Sequence, residues 1–112
     1  IMRSDKERLN DILKAIEQIE QYTSEGKINF QENQLIQSAV LYQIIIIGEA
    51  VNNLSPSFYI DNTDVTWKQI IGIRNILVHE YFRVNLDRIW NVIELHLPLL
   101  KSKIEQILKN PD

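Results

Sequence analysis

Arg74, Asn75, His79 and Tyr81 fall within eight consecutive positions, inside an otherwise apolar stretch that opens at Gly72. Arginine offers a permanent positive fork that matches a phosphate, and histidine is the side chain that titrates nearest neutrality. A fixed cation beside an acid–base group suits phosphodiester chemistry without a metal. The cation takes up charge growing on the phosphate oxygens while the imidazole moves a proton. Asn75 can orient either the imidazole or a phosphate oxygen. The plainer reading of each residue is structural: Arg74 in an ion pair, His79 closing a helix, and Tyr81 a half-buried aromatic.

Spacing constrains how these groups can act together. Arg74 and His79 are five positions apart, about 140° around an ideal helix, whereas Arg74 and Tyr81 are seven apart and nearly aligned. One straight helix does not aim Arg74 and His79 at the same atom. Either the helix ends near Val78 and frees His79 to turn, or two copies of the chain complete one site.

Other chemistries find little support. The chain has no cysteine, which excludes disulfides, thiolate catalysis and cysteine-bound zinc. The second histidine, His96, stands between Leu95 and Leu97 with no ligand at metal spacing, and it reads as structural. No glycine-rich phosphate loop and no serine in a nucleophile motif occur, so neither a metal nor a cofactor is expected.

The elements that must position the motif are helical. Ser4 followed by Glu7 is a capping-box start, and Leu9, Ile12, Leu13, Ile16 and Ile19 then recur at helical steps until about Tyr22 to Gly26. A polar linker leads to a second helix over about Gln31 to Leu54. Four consecutive isoleucines, Ile44 to Ile47, favour a strand locally, but the long helical period on both sides overrides them. A helix apolar nearly all round is either central or covered by a second copy. Within it, Gly48-Glu49-Ala50 reads as close helix packing plus a surface glutamate. Ser55-Pro56 stops this helix, and Ser57 to Asp64 reads as a loop.

Thr66 is the expected cap of a third helix, which starts at Trp67 and carries the motif. Asn85 is the expected cap of a fourth, running to about Leu108 with Leu86, Ile89, Trp90, Ile93, Leu97, Leu100, Ile104 and Leu108 inward. Pro98 lies inside that pattern and removes the bond to the Glu94 carbonyl, so a kink or a short extra helix is expected there. The predicted fold is all-α: one domain over residues 1–112, an antiparallel up-and-down bundle of four main helices.

Bulk composition agrees with a soluble cytoplasmic protein. The hydrophobic share is 45% and the charged share 24%, ordinary values for a globular chain. The N-terminal segment is charged and lacks the apolar core of a signal peptide. The most apolar run, Val40 to Val51, falls short of the roughly 20 residues that span a bilayer, so no membrane association is expected. Net charge is −3, yet it is unevenly placed: residues 1–64 sum to −5 and residues 65–103 to +3. The positive part surrounds the motif.

Arg74-Asn75-x-x-x-His79-x-Tyr81 resembles the R-x4-H-x-Y signature of the HEPN superfamily, in particular the HepT-like toxins. The likeness extends over nearly the whole chain, including Ile47 to Ala50, Trp67 to Gly72, Trp90 and Leu97-Pro98. The resemblance implies a homodimeric HEPN bundle with paired motifs lining a cleft between the copies. It implies a metal-independent ribonuclease that acts on RNA, such as tRNA or mRNA, and leaves a 2′,3′-cyclic phosphate. Carried over, Arg74 stabilises charge on the scissile phosphate, His79 moves a proton and Asn75 assists. The implied partner is a minimal nucleotidyltransferase antitoxin that adenylylates the motif tyrosine, here Tyr81, a local electrostatic switch. The alternative is a non-catalytic dimeric helical module that binds a nucleotide or such a nucleotidyltransferase.

Overall fold

The capping box closes where the sequence puts it. In the computed structural model, which describes residues 3–63, 67–79 and 84–109, helix α1 spans Asp5–Tyr22. The Glu7 amide donates to Ser4 Oγ, and the Ser4 amide donates to the Glu7 carboxylate, both at 3.1 Å. Two donors that a helix end leaves bare are thereby satisfied. The bond from the Ser4 backbone, with help from its hydroxyl, holds the Glu7 carboxyl below its ordinary range.

The polar linker is not extended. It coils into a short helix, α2 (Lys27–Glu32), entered through Gly26 at φ 93°, a backbone angle that favours glycine. The long second helix, α3 (Gln34–Asn52), therefore begins three residues later than its hydrophobic period suggests. Asn33 is extended, and its side chain accepts from the Ile36 amide at 3.1 Å, making it the cap.

Part of the expected loop over residues 57–64 is helical instead. Pro56–Asp61 forms a short helix, α4, with proline in the first turn, where its missing N–H costs nothing. Phe58 and Tyr59 on α4 meet the buried Trp67 ring edge-on, at centroid distances of 5.4 and 6.0 Å. That tertiary contact organises a segment whose local signals are loop-like. The motif helix, α5 (Trp67–His79), follows, and its expected cap Thr66 lies outside the described residues.

The fourth helix is interrupted. Asn85 caps α6 (Leu86–Asn91) by accepting from the Asp87 and Arg88 amides, Val92–His96 forms a π-turn, and α7 (Leu97–Lys109) continues. In the π-turn the Leu97 amide donates to the Val92 carbonyl, one residue further back than in an α-helix. Pro98 then falls in the first turn of α7, where no N–H is required. The wide turn also moves the inward face. Val92 is buried and Ile93 only partly so, and the next buried residue is Leu97, five positions on.

These helices make an all-α bundle, with no strand among the described residues. α1 packs on α3, α3 on α5, and α7 returns to α1. Just past α3, the Ser55 amide donates to Asp5 Oδ1 at 3.0 Å, which places the start of α1 beside the end of α3 and makes the two antiparallel. A single apolar cluster runs through the interior, from Ile12, Ile16 and Ile19 to Val40, Ile44, Ile47 and Val51, then to Ile73, Leu77, Leu100 and Ile104. Each such side chain contributes about 1.5–3 kcal/mol of burial. By length and composition alone α3 could cross a bilayer, with 19 residues at a mean hydropathy of 1.4. Here it is the central helix, with Val40, Ile44, Ile47 and Val51 turned into the core.

Candidate functional site

Trp67, Ile70, Ile73 and Leu77 are buried at helical spacing and fix which face of α5 meets the core. The remaining positions follow from helix geometry. Arg74 falls at the seam with α3, its side chain 19% exposed, while Asn75 and His79 point outward and are exposed. His79 is the last residue of α5, one position beyond the expected end near Val78, and its backbone is still helical. Tyr81 lies outside the described residues.

Arg74 is firmly held. Its Nε donates to Glu49 Oε1 at 2.8 Å, and its Nη2 donates to the same oxygen. Its Nη1 donates to Asn75 Oδ1 at 2.7 Å. The ion pair that sequence left as the plainer reading of Arg74 is therefore present. Its partner was not apparent there, because Glu49 reads as a surface glutamate. Two signals mark it in hindsight. Glu49 is the only charged residue in α3, and Gly48 before it marks a close crossing of helices. A β-carbon on Gly48 would lie 2.2 Å from Arg74 Cβ, so only glycine admits the arginine stem at this point.

The structure thus brings Arg74, Asn75 and Glu49 together and leaves His79 apart, five positions further along α5 and about 140° around it. On the outward side of α3, Leu35 is 83% and Tyr42 63% exposed, and Ile45 and Ile46 are half-buried. His96 sits half-buried in the π-turn and lines a cavity of about 160 Å³ with Gln69, Arg88 and Asn91, none of them a motif residue. A more apolar cavity of about 180 Å³ lies between α5 and α6 and likewise touches none of Arg74, Asn75 and His79. Among the described residues no three His, Asp or Glu side chains are grouped as metal ligands.

Comparison with known proteins gives this geometry a context. Residues 12–107 match the protein-family model described as ribonuclease HepT-like. A Methanocaldococcus jannaschii protein, named as a gamma-glutamylcyclotransferase and candidate RNase, is 39% identical over 99% of this chain and 51% of its own length. The chain thus spans about half of that relative. A Thermococcus cleftensis protein named probable ribonuclease HepT is 36% identical, over 96% of this chain and 98% of its own. A candidate RNase of Caldanaerobacter subterraneus is 35% identical over 96% and 97% respectively. No solved structure matches the chain at comparable significance.

Proposed function

This chain belongs to the HepT-like ribonuclease family, and on that premise we propose that it is a metal-independent endoribonuclease, the toxin component of a prokaryotic toxin–antitoxin module in the cytoplasm. Its substrate is RNA, of the tRNA or mRNA class. The observation that carries this reading is the presence on one helix, α5, of a fixed cation, Arg74, and an exposed imidazole, His79.

The chemistry follows from those two groups. Arg74, with Asn75 assisting, stabilises charge on the scissile phosphate. His79 moves the proton at the ribose 2′-hydroxyl or at the leaving 5′-oxygen. The 2′-oxygen bonds to phosphorus, the bond to the 5′-oxygen breaks, and the products are a 2′,3′-cyclic phosphate and a 5′-hydroxyl. Because α5 remains helical through His79, a site shared between two copies accounts better for the separation of Arg74 and His79 than one protomer does. The exposed apolar residues of α3, Leu35 and Tyr42, are available to a second copy. Adenylylation of Tyr81 by a minimal nucleotidyltransferase antitoxin would place a charged nucleotide two residues from His79 and silence the site.

One observation favours the runner-up, a non-catalytic dimeric module for a nucleotide or nucleotidyltransferase: the guanidinium of Arg74 is already engaged by Glu49. The two readings separate on RNA cleavage by Arg74→Ala and His79→Ala. Each substitution is expected to lower cleavage at least ~100-fold with helix content unchanged by circular dichroism. Undiminished cleavage by both variants would remove the ribonuclease assignment from this motif.

A further inference from the structure

We propose that Glu49, on a different helix from the motif, is a positioning residue: it sets the direction in which Arg74 presents its guanidinium to the phosphodiester. The inference rests on the ribonuclease reading above and adds to it a residue outside the R-x4-H-x-Y pattern.

The hydrogen-bond inventory of Arg74 carries the argument. A guanidinium has five N–H donors in a rigid plane. Glu49 Oε1 takes the Nε–H and one donor of Nη2, and Asn75 Oδ1 takes one donor of Nη1. One N–H remains on each terminal nitrogen. Acceptors on two residues, one on each side of the guanidinium, fix its plane, so the remaining donors have a set direction. Gly48 fixes the other end of the side chain, since the arginine stem lies against it with no room for a β-carbon. Root and head of one arginine are thus held by two consecutive residues of α3.

The pair has an electrostatic side as well. Glu49 offsets the charge of Arg74, so the arginine contributes direction more than long-range attraction for RNA. A carboxylate that merely blocked the phosphate would have the opposite signature, because its removal would speed cleavage.

The test compares the full chain with Glu49→Gln and Glu49→Ala. The glutamine keeps an oxygen acceptor without charge, and the alanine keeps neither. Glu49→Ala is expected to lower kcat at least tenfold with KM not raised, and Glu49→Gln to hold kcat within threefold of the parent while KM falls. Equal loss in both variants, or a gain in kcat for either, overturns the proposal. The Arg74 15Nε–1Hε signal, assigned by its disappearance in Arg74→Lys, is read on the same proteins without RNA. It is expected to be sharp and slow to exchange in the parent and Glu49→Gln, and broadened in Glu49→Ala. A signal unaffected by Glu49→Ala overturns the proposal whatever the kinetics. A parent that retains this signal but cuts no RNA overturns the ribonuclease reading while supporting the Glu49 contact.

Discussion

Gly48 of α3 and Arg74 of α5 meet so closely that a β-carbon on the glycine would stand 2.2 Å from Cβ and 2.5 Å from Cγ of the arginine. The arginine β-carbon is joined directly to the α5 backbone and cannot swing away as a side-chain tip would. Gly48→Ala is therefore expected to cost about 1–3 kcal/mol by forcing the helices apart. The readout is a lower urea midpoint at unchanged m-value. An unchanged midpoint would mean that α5 shifts freely on α3.

Phe30 is fully buried, and its ring lies 5.5 Å from that of Trp90, joining the short α2 to the start of the fourth helix. Phe30→Ala should cost about 3–5 kcal/mol. Ile28, two residues earlier, is 71% exposed, and Ile28→Ala should stay within about 0.5 kcal/mol. Chemical denaturation of the pair separates a packed α2 from a loosely attached one, for which the two costs would be alike.

Asn85 supplies a side-chain cap for the fourth helix, accepting from the Asp87 and Arg88 amides at 2.9 and 3.2 Å. Asn85→Ala should lower stability by about 1 kcal/mol, and Asn85→Asp should retain most of it. Thermal melts of both variants check this, and equal losses would argue against capping as the cause.

Glu7 gives a pH dependence of known sign. Its folded-state pKa is depressed, chiefly by the bond from the Ser4 backbone. Its contribution is thus complete above the ordinary glutamate range and lost as pH falls through the depressed value. Glu7→Gln preserves the capping geometry without the titration. The stability advantage of the parent over this variant should shrink on acidification below about pH 4, the lower side of that range. A constant difference across the acid limb would show that the carboxyl takes no part.

The four long helices were legible because their signals are local. Ser4, Asn85 and the spacing of Leu9 through Ile19 each act within one or two turns. The two short helices were not, since α4 depends on Phe58 and Tyr59 finding Trp67 across a segment that reads as loop. The site divides in the same way. Arg74, Asn75 and His79 are contiguous enough to be seen in the sequence, whereas Glu49 lies 25 positions from Arg74 and becomes its partner only through the α3–α5 crossing. The π-turn is not legible in the regular spacing: the expected inward face steps from Ile89 through Ile93 to Leu97, while the structure buries Val92 instead.

That five-residue step from Val92 to Leu97 is where the chain can tolerate a change of length. In a regular α-helix, deleting one residue turns everything downstream by about 100°. Here the wide turn already holds one residue more than an α-turn, and removing it would restore a four-residue step with Leu97, Leu100 and Ile104 still facing inward. Pro98 would then stand within a continuous helix and lose the first-turn position that spares it a missing bond. Relatives differing by a single insertion or deletion in this segment can accordingly keep the same core, provided that the proline and the extra residue come and go together.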